Sequence, residues 1–319
     1  MNSTRRPLVI IAGPTAAGKT HLSVKLAKTI GGEIISADSM QVYKHMDIGT
    51  AKVKPEETDG VPHHLIDCIN PAENYSIASF TRMAGEAAEE IYRNGHIPIV
   101  TGGTGFYIQA LLKELDFDDG EENTAYREEL AAIAQDPGKG PAHLRRMLLE
   151  ADPAAAEAIH QNNVKRTIRA LEYLHETGHR ISERNAYEKA IEPDFNFAYF
   201  VLTIPRELLY KRIEDRVDLM VSEGLEAEVR ALRDMGVPEN ATSMQGLGYR
   251  EMYSYLEGRI TLSEAIAQIK LNTRHFAKRQ LTWFRREKDA LWIDMSGYRD
   301  EDEIISYITV ILKERGILN

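Results

Sequence analysis

A short glycine-rich segment near the N-terminus constrains the fold more than any other part of the chain. Residues 13–20 read GPTAAGKT and fit the pattern G-x-x-x-x-G-K-[ST]. An apolar run at residues 8–12 precedes this segment, and a helical spacing of apolar residues from 22 to 30 follows it. A strand, such a loop and a helix in this order are typical of a P-loop, whose backbone amides and helix N-terminus bind phosphate. We therefore predict phosphate binding here; a glycine-rich turn without a ligand is the alternative.

The residue types of this loop suit an anion and a metal ion. Lys19 supplies a positive charge, and the hydroxyl of Thr20 is the kind of ligand that holds Mg²⁺ beside bound phosphate. The predicted phosphate site comprises Gly13, Pro14, Thr15, Ala16, Ala17, Gly18, Lys19 and Thr20. These residues indicate what the loop holds, but they do not indicate the reaction.

Composition restricts the class of protein. The chain has 319 residues and a net charge of −10, and its apolar content is typical of a globular protein with one large or two smaller domains. No apolar run approaches the roughly 20 residues that cross a bilayer, and the run after Pro7 is too short for a signal peptide. The single cysteine, Cys68, excludes an intramolecular disulfide and a multi-cysteine zinc site. We expect a cytoplasmic protein without membrane contact.

Apolar strand patterns alternate with helical patterns over most of the chain. The strand patterns lie at residues 8–12, 33–36, 97–100, 197–204 and 291–294. This alternation predicts an α/β fold, with a P-loop-type parallel sheet core flanked by helices. Residues 121–196 show helical patterns without a strand pattern, which predicts an all-helical insertion domain. The core is then divided into residues 1–120 and 197–319.

Three predicted loops share one edge of this sheet. Ligands of a parallel sheet bind beyond the carboxyl ends of the strands, so we expect the P-loop, Asp38 and Thr104 to lie close together. Asp38 is a candidate general base or magnesium ligand, with a turn or helix-cap role as the alternative. The glycines around Thr104 permit close approach of a ligand, or form a tight turn. The strand at 97–100 ends in Thr-Gly-Gly rather than in the acid of many P-loop NTPases, which disfavours nucleotide hydrolysis.

Two arginines are further candidates for a phosphate site. Arg212 and Arg216 lie four residues apart on one predicted helix face, where they could clamp a diphosphate. Nucleotide kinases carry similar arginines, and surface ion pairs with Glu207, Glu214 or Asp215 are the alternative. Asp67 is a weaker candidate for an acid that helps to hold a metal ion.

Basic residues of this acidic chain cluster in two stretches, at residues 165–184 and 270–288. Trp283 and Phe284 lie in the second stretch, and aromatic side chains among cations are typical of RNA-binding surfaces. The alternatives are solvated helix faces and an apolar helix face that packs on the core. His63–His64 has no matching cysteine or histidine cluster, so a structural role is favoured over a metal site.

The order of several motifs resembles one known family. After GPTAAGKT follow ISADSMQVYKHMDIGTAK (35–52), PHHLID (62–67), YSIASF (75–80), GGTGFY (102–107), QNNVKRTIRALE (161–172), LYKRIEDRV (209–217), GLGYREM (246–252) and RHFAKRQLTWFR (274–285). This series resembles the bacterial tRNA dimethylallyltransferases, also called tRNA isopentenyltransferases, of the IPP transferase family. The likeness spans nearly the whole chain. The P-loop is generic, whereas the joint occurrence of the other motifs is specific.

The resemblance implies an activity. Such enzymes transfer a dimethylallyl group from dimethylallyl diphosphate to the exocyclic amine N6 of adenosine 37, next to the anticodon, in tRNAs that read codons beginning with U. Diphosphate is released, and Mg²⁺ is the implied cofactor, held at Thr20. The implied partner is the anticodon stem-loop of tRNA, clasped in part by the helical insertion, and a monomer suits this arrangement. A P-loop nucleoside or nucleotide kinase and a non-catalytic RNA-binding module are the alternatives.

The resemblance also implies roles for individual residues. Asp38 would accept the proton of the amine, and Thr104 would hydrogen-bond the diphosphate near the reacting carbon. Lys19 and Arg216 would stabilise the departing charge, and Arg212 would also contact the diphosphate. The implied tRNA contacts are Asp38, Ser39, Met40, Gln41, Thr101, Gln161, Asn162, Asn163, Val164, Lys165, Arg166, Gln245, Gly246, Leu247, Gly248, Tyr249, Arg250, Lys278, Arg279, Gln280, Trp283 and Arg285.

Overall fold

The structure is a computed structural model that describes residues 5–115, 124–136 and 140–318. Contacts between Cα atoms divide the chain into two compact units. The larger unit is built from Met1–Asp116 and Pro193–Asn319, and the smaller unit is Phe117–Glu192. The borders therefore fall near residues 116 and 193, where the sequence placed them at 120 and 197.

The larger unit is built on a six-stranded parallel sheet. Its strands are β1 (Arg6–Ala12), β2 (Gly32–Ser36), β3 (His63–His64), β4 (Ile97–Gly102), β5 (Phe195–Thr203) and β6 (Ala290–Asp294). They lie in the order β3-β2-β4-β1-β5-β6, and each neighbouring pair is parallel. The predicted α/β fold with a parallel sheet core is confirmed. The sequence analysis missed β3, because two residues are too few to show a strand pattern.

Helices connect the strands and form the smaller unit. The larger unit begins with α1 (Lys19–Ile30), α2 (Ile77–Arg93) and α3 (Gly105–Leu112). The smaller unit contains α4 (Thr124–Gln135), α5 (Gly140–Ala151), α6 (Pro153–Ala158), α7 (Val164–Thr177) and α8 (Ile181–Ala190). The larger unit continues with α9 (Arg206–Glu223), α10 (Leu225–Asp234), α11 (Tyr249–Leu256), α12 (Leu262–Phe284) and α13 (Glu301–Glu314). Within the described ranges, these helices are all too short or too polar to cross a membrane.

Alternating side chains of the central strand β1 fill both faces of the sheet. Leu8 and Ile10 belong to a core that includes residues of α2, α3 and α12, whereas Val9 and Ile11 belong to a core with α1 and α13. All four side chains are fully buried, and burial of one such side chain stabilises a fold by about 1.5–3 kcal/mol. Helices on both faces of a parallel sheet need strands that are apolar on both sides, which explains the continuous apolar run of β1.

The register of the strands brings three loops to one edge of the sheet. Ala12 of β1 pairs with Gly102 of β4, and Ser36 of β2 pairs with Thr101 of β4. The amide of Ala37 donates a hydrogen bond of 2.8 Å to the Thr101 carbonyl, which continues the pairing past the end of β2. Because the three strands are neighbours and end at nearly the same level, the P-loop lies beside the loops that follow β2 and β4.

The histidines near β3 have a structural role, as the sequence favoured. Nε2 of His64 lies 2.7 Å from one carboxylate oxygen of Glu33, and Nδ1 of His96 lies 2.6 Å from the other. Burial alone would raise the pKa of Glu33, but hydrogen bonds from the two imidazoles bring it below its ordinary value. In the part of the chain that the structure describes, no group of three or more histidine, cysteine, aspartate or glutamate side chains is arranged to hold a metal ion.

The smaller unit has an apolar core of its own. Leu130 of α4 and Leu144 of α5 are fully buried in it. Asp152 begins α6, and its carboxylate accepts hydrogen bonds from the amides of Ala155 at 3.0 Å and Ser182 at 2.9 Å. Burial would raise the pKa of Asp152, but these hydrogen bonds lower it below its ordinary value. One buried carboxylate therefore joins the start of α6 to the start of α8.

Candidate active site

The P-loop lies between β1 and α1, and its backbone adopts conformations that favour glycine. Gly13 and Gly18 have φ angles of 148° and 93°, and Ala16 has a φ angle of 63°. A Cβ atom on Gly13 would lie 2.6 Å from the carbonyl oxygen of Leu202, so the close approach of β5 requires glycine here. Helix α1 begins directly after this loop, at Lys19. The free N–H groups of the helix N-terminus are therefore available to bind an anion beside the loop.

Lys19 folds back over the loop. Its Nζ atom donates a hydrogen bond of 2.8 Å to the carbonyl oxygen of Pro14. Burial lowers the pKa of Lys19 to about 8; the carboxylate of Asp38 opposes this shift, and the positive charge of Arg216 adds to it. A buried cation with a lowered pKa is stabilised when an anion binds next to it. Lys19 is thus suited to hold a phosphate group.

Two cavities lie beside the loop. The first, which we call the P-loop cavity, has a volume of about 900 Å³. Its lining includes Gly18, Lys19, Thr20, Lys25, Lys28, Glu56, Glu57, Arg212 and Arg216. The second, which we call the Asp38 cavity, has a volume of about 480 Å³. Its lining includes Thr15, Asp38, Ser39, Met40, Thr104, Arg216, Leu247, Tyr249, Phe276 and Arg279. Ala51 and Arg216 line both cavities, so these two residues form the wall between them.

Arg216 of α9 is an unpaired cation in this wall. Its Nη2 atom donates a long hydrogen bond of 3.4 Å to the carbonyl oxygen of Ala51, and it forms no ion pair with any described residue. Burial lowers the pKa of Arg216, although the carboxylates of Asp38 and Glu57 act in the opposite direction. A cation held in this way, between two cavities, can interact with an anion that enters either of them.

The two arginines of α9 are free of the acids beside them in sequence. Glu214 pairs with Arg274 of α12, and Asp215 pairs with Lys211. Neither Arg212 nor Arg216 has an ion-pair partner in the described ranges. The alternative of surface ion pairs with Glu214 or Asp215 is therefore wrong for these arginines. Both arginines line the P-loop cavity, where the sequence analysis expected a diphosphate clamp.

Asp38 has a turn role and a cavity role at the same time. Its Oδ1 atom accepts hydrogen bonds from the amides of Met40 at 2.8 Å and Gln41 at 3.4 Å. These bonds form a local turn and hold the carboxylate in place. Its Oδ2 atom has no hydrogen-bond partner in the part of the chain described, and Asp38 lines the cavity that bears its name. The two interpretations made from the sequence are therefore compatible, because each uses a different oxygen.

Gln280 of α12 joins the P-loop to the loop that follows β4. Its Oε1 atom accepts a hydrogen bond of 2.9 Å from the amide of Thr15, and its Nε2 atom donates one of 3.0 Å to the carbonyl of Gly103. A Cβ atom on Gly103 would lie 2.1 Å from this Nε2 atom, so a larger residue at position 103 would displace the Gln280 side chain. Gln280 is only 6% exposed. Both polar atoms of the side chain are engaged within the protein, and the tRNA contact implied for Gln280 stays a prediction.

Sequence patterns and solved structures of known proteins match this chain closely. The sequence pattern of the family described as IPP transferase matches residues 41–287, and the pattern described as isopentenyl transferase matches residues 7–68. The chain belongs to the IPP transferase family. This confirms the resemblance found in the sequence and makes the protein a member of a transferase family.

Relatives in this family are similar over almost their full length. The chain is 52% identical over 313 residues to a tRNA dimethylallyltransferase of Lachnoclostridium phytofermentans. The matched residues cover 98% of this chain and 99% of the relative. The tRNA isopentenylpyrophosphate transferase of Bacillus halodurans has a crystal structure with a TM-score of 0.73 and 44% identity, covering 98% of each chain. A eukaryotic dimethylallyltransferase, crystallised while acting on tRNA, has a TM-score of 0.76 and 32% identity over 91% of this chain and 74% of that chain.

Other residues that the IPP transferase resemblance assigned to tRNA fall into two groups. Five in the larger unit are exposed: Gln245, Arg250, Lys278, Arg279 and Arg285. In the smaller unit, Gln161, Asn162, Lys165 and Arg166 are exposed around the start of α7, and Asn163 caps that helix by accepting a hydrogen bond of 3.2 Å from the amide of Arg166. Val164 is the first residue of α7. These positions are accessible to a large ligand.

Other residues assigned to tRNA have contacts or positions within the larger unit. Nε2 of Gln41 donates hydrogen bonds of 3.3 Å to the carbonyls of Thr50 and Ala51, next to the wall between the cavities. Trp283 packs edge-to-face on Phe106, with ring centroids 5.9 Å apart. The hydroxyl of Thr101 is buried and has no hydrogen-bond partner in the described ranges. Gly246, Leu247 and Gly248 lie in the turn that leads to α11.

Glu228 of α10 is a supporting residue that sequence analysis missed. Its carboxylate accepts hydrogen bonds from three consecutive amides, those of Asp47 at 2.8 Å, Ile48 at 2.7 Å and Gly49 at 3.0 Å. It also accepts one of 2.6 Å from the hydroxyl of Tyr249. Tyr249 is 1% exposed, and its hydroxyl is engaged by this carboxylate. Because Tyr249 also lines the Asp38 cavity, the tRNA contact implied for it stays a prediction. No local pattern identifies this role, because the bonded loop lies about 180 residues away.

We expect the substitution Glu228→Gln to lower the free energy of unfolding by about 1–3 kcal/mol, the usual cost of a polar group left without its partner. An amide keeps only one acceptor oxygen, so its NH₂ group would face N–H or O–H donors that now bond to the carboxylate. Urea unfolding measures the change. Glu226→Gln on the same helix is the matched control, because Glu226 is exposed and pairs with Arg230 at the surface. A Glu228→Gln protein as stable as the Glu226→Gln protein would contradict this account.

Proposed function

We propose that this protein transfers a dimethylallyl group from dimethylallyl diphosphate to a tRNA. The acceptor in this proposal is the N6 amine of adenosine 37, next to the anticodon, in tRNAs that read codons beginning with U, and diphosphate is released. Relatives named tRNA dimethylallyltransferase, which are similar over nearly the whole chain, support the activity. The protein is proposed to act in the cytoplasm as a monomer on the anticodon stem-loop.

One observation supports this function more than any other: Arg216 and Ala51 line both the P-loop cavity and the Asp38 cavity. A group-transfer enzyme with two substrates needs an anion site and a proton acceptor on either side of one reacting bond. The P-loop cavity has the cations for a diphosphate, and the Asp38 cavity has a carboxylate and apolar walls for a base. The wall residues mark where the two substrates would meet.

The donor diphosphate is proposed to occupy the P-loop cavity. Lys19, Arg212 and Arg216 would balance its charge, together with the loop amides and the N-terminus of α1. Mg²⁺ fits this cavity, because the Thr20 hydroxyl and the carboxylate of Glu57 line it and supply the oxygen ligands that Mg²⁺ prefers beside a diphosphate. When bound there, Mg²⁺ would neutralise part of the diphosphate charge.

The acceptor adenine is proposed to occupy the Asp38 cavity. The base must leave its stack to enter, which costs a few kcal/mol and less in a single-stranded loop. Its N6 atom forms a bond to the first carbon of the dimethylallyl group while the bond from that carbon to the diphosphate oxygen breaks. The surplus proton on N6 passes to Oδ2 of Asp38, and the electron pair leaves with diphosphate. Thr104 would hydrogen-bond the departing oxygen, and Lys19 and Arg216 would stabilise its charge.

A transfer assay without ATP tests this function. Unmodified tRNA is incubated with the protein, Mg²⁺ and dimethylallyl diphosphate, and the mass of tRNA fragments is measured. We expect a gain of one dimethylallyl group on the fragment that contains adenosine 37, and no gain on a tRNA with guanosine at that position. If the tRNA mass stays unchanged and the protein instead transfers phosphate from ATP to a small acceptor, a nucleoside or nucleotide kinase is favoured. Binding of tRNA without product from any donor would favour an RNA-binding module.

The affinity for the donor is expected to depend on pH through Lys19. Burial lowers the pKa of Lys19 to about 8, so the free protein holds this charge below that pH and loses it above. A bound diphosphate raises the pKa again, and binding above pH 8 must therefore take up a proton. The dissociation constant should rise by up to about tenfold per pH unit above pH 8. Calorimetric titration at several pH values measures this.

Lys19→Arg is the control for this pH dependence, because a guanidinium stays charged throughout the same range. Whatever its absolute affinity, this variant should show no rise in the dissociation constant between pH 8 and pH 10. A rise that persists in the variant would assign the titration to another group.

Gln280→Leu is expected to weaken donor binding about 5- to 150-fold, because the amide of Thr15 and the carbonyl of Gly103 each lose their partner. Leucine has a similar size but no polar atoms. The affinity for tRNA should change little, because the Gln280 side chain is buried. Separate titrations with donor and with stem-loop RNA measure the two effects. Thr282→Ala, a substitution at an exposed position of the same helix, is the control. If Gln280→Leu loses affinity for RNA but not for the donor, a direct contact between Gln280 and RNA is supported.

A further inference from the structure

A third cavity lies between the start of α9, helix α12 and strand β6. We call it the α9–β6 cavity; its volume is about 470 Å³. Its apolar floor includes Ile204, which follows β5, and Leu281 of α12. It shares no lining residue with the P-loop cavity or the Asp38 cavity. The mechanism proposed above leaves this cavity without a role.

Three cations surround this cavity: Arg206, Lys278 and Arg285. Its described lining contains no acidic residue, although acids outnumber bases in the chain by 49 to 39. None of the three has an ion-pair partner in the described ranges. Unpaired cations around one cavity create a local positive potential in an acidic protein, and such a potential attracts an anionic ligand.

Neighbouring cations on the same two helices behave differently. Lys211 of α9 pairs with Asp215, and Lys270 of α12 pairs with Asp218 across the helices. Acidic partners are thus available on these helices and are used elsewhere. The cations of the α9–β6 cavity are therefore available to a ligand from outside the protein.

Two aromatic rings add a second type of contact. Trp292 of β6 is 40% exposed and lines the cavity. Tyr210 of α9 also lines it, and the guanidinium carbon of Arg206 lies 5.0 Å from the centre of its ring. A free phosphate ion would gain nothing from an exposed indole. An aromatic face beside cations suits an unstacked base with its phosphate, the combination typical of single-stranded RNA sites.

Helix α12 connects this cavity with the proposed acceptor site. Lys278 lines the α9–β6 cavity, and the next residue, Arg279, lines the Asp38 cavity. We propose that the α9–β6 cavity binds an unpaired nucleotide of the tRNA, outside the reacting adenosine, with Trp292 and Tyr210 on its base and Arg206, Lys278 and Arg285 on phosphate groups. This inference rests on the proposed function, and it extends the RNA site to α9 and β6.

Direct binding of an unmodified anticodon stem-loop RNA tests the inference. Fluorescence anisotropy gives the dissociation constant between about 50 and 200 mM salt. Trp292→Ala is expected to weaken binding roughly 5- to 150-fold, as for one lost base–aromatic stack. Arg206→Ala is expected to reduce the slope of log affinity against log salt by about 0.7 to 1, as for one lost phosphate contact.

Matched controls lie outside the cavity. Tyr307→Ala removes another aromatic ring that is also 40% exposed, on α13. Lys211→Ala removes an exposed, paired cation on α9. Neither control should change the affinity or the slope. The melting temperature of each variant identifies any loss of folding, and Trp292→Phe, which keeps an aromatic face, should recover part of the affinity.

Two outcomes would overturn the inference. One is unchanged affinity and slope in both Trp292→Ala and Arg206→Ala. The other is quenching of Trp292 fluorescence by AMP with no effect of either substitution on RNA binding, which would assign the cavity to a free mononucleotide.

The proposed function is tested separately. If the wild-type protein modifies tRNA while these variants bind RNA normally, the proposed function is supported and this RNA contact is not. Absence of product with the unmodified protein would remove the function itself.

Discussion

Replacing Asp38 with asparagine is expected to lower the turnover number about 10²- to 10⁴-fold, the range typical of a lost general base. Asparagine keeps the size of the side chain and one acceptor oxygen, so the hydrogen bonds from the amides of Met40 and Gln41 can remain. The variant loses only the ability of the second oxygen to take a proton. The affinity for tRNA should therefore change little, which separates a chemical role from a binding role.

Single-turnover kinetics at saturating donor and tRNA measure the loss in Asp38→Asn. Asp215→Asn is the matched control, because it removes an exposed carboxylate of α9 that pairs with Lys211. This control should retain nearly all of the activity. Equal losses of tRNA affinity and turnover in Asp38→Asn would show that the carboxylate holds the RNA rather than accepting a proton.

Arg216→Met is expected to lower the turnover number about 10²- to 10³-fold, as for the loss of one donor group that stabilises charge in a transition state. Methionine approximates the length of the arginine stem but carries no charge. Because Arg216 is partly buried without an ion-pair partner in the described ranges, its removal should leave the melting temperature unchanged or raise it. Lower activity in an equally stable protein would assign the guanidinium to the reaction.

Arg216→Lys and Lys211→Met complete this comparison. A lysine restores a positive charge but not the planar guanidinium with its several N–H donors, so we expect partial recovery of turnover. Lys211 lies on the same helix but is exposed and paired, and its replacement should have little effect. A destabilised Arg216→Met protein, with the loss of activity matched by loss of folded protein, would contradict a catalytic role.

The sequence predicted the parts of this fold that local patterns encode. The apolar run of β1, the glycines of the P-loop and the strand patterns around β2 and β4 were sufficient to predict a parallel sheet and to place Asp38 near the P-loop. The hydrogen bond between Ala37 and Thr101 and the register of the neighbouring strands agree with that placement. Periodicity and turn chemistry depend on residues close in sequence, which explains this success.

Contacts between segments that are distant in sequence leave no local sequence pattern from which they could be predicted. No helix or strand was predicted from 225 to 256, although α10 and α11 lie there and α10 carries Glu228. The partners of Glu228 are backbone amides about 180 residues earlier, and backbone amides carry no sequence signal. Gln280 shows the same limit: its motif predicted an RNA contact, but its amide group bonds to the P-loop backbone.

The two hydrogen bonds of Gln280 also connect helix α12 to the loop that is proposed to hold the donor. Lys278 and Arg279, which we assign to RNA, precede Gln280 on the helix, while Gln280 itself holds the amide of Thr15 in the donor loop. If RNA binding displaces α12, the loop amide moves with it, and the affinity for the donor changes. Thermodynamic linkage then requires that the donor change the affinity for tRNA by the same factor. One glutamine would make the two substrates cooperative.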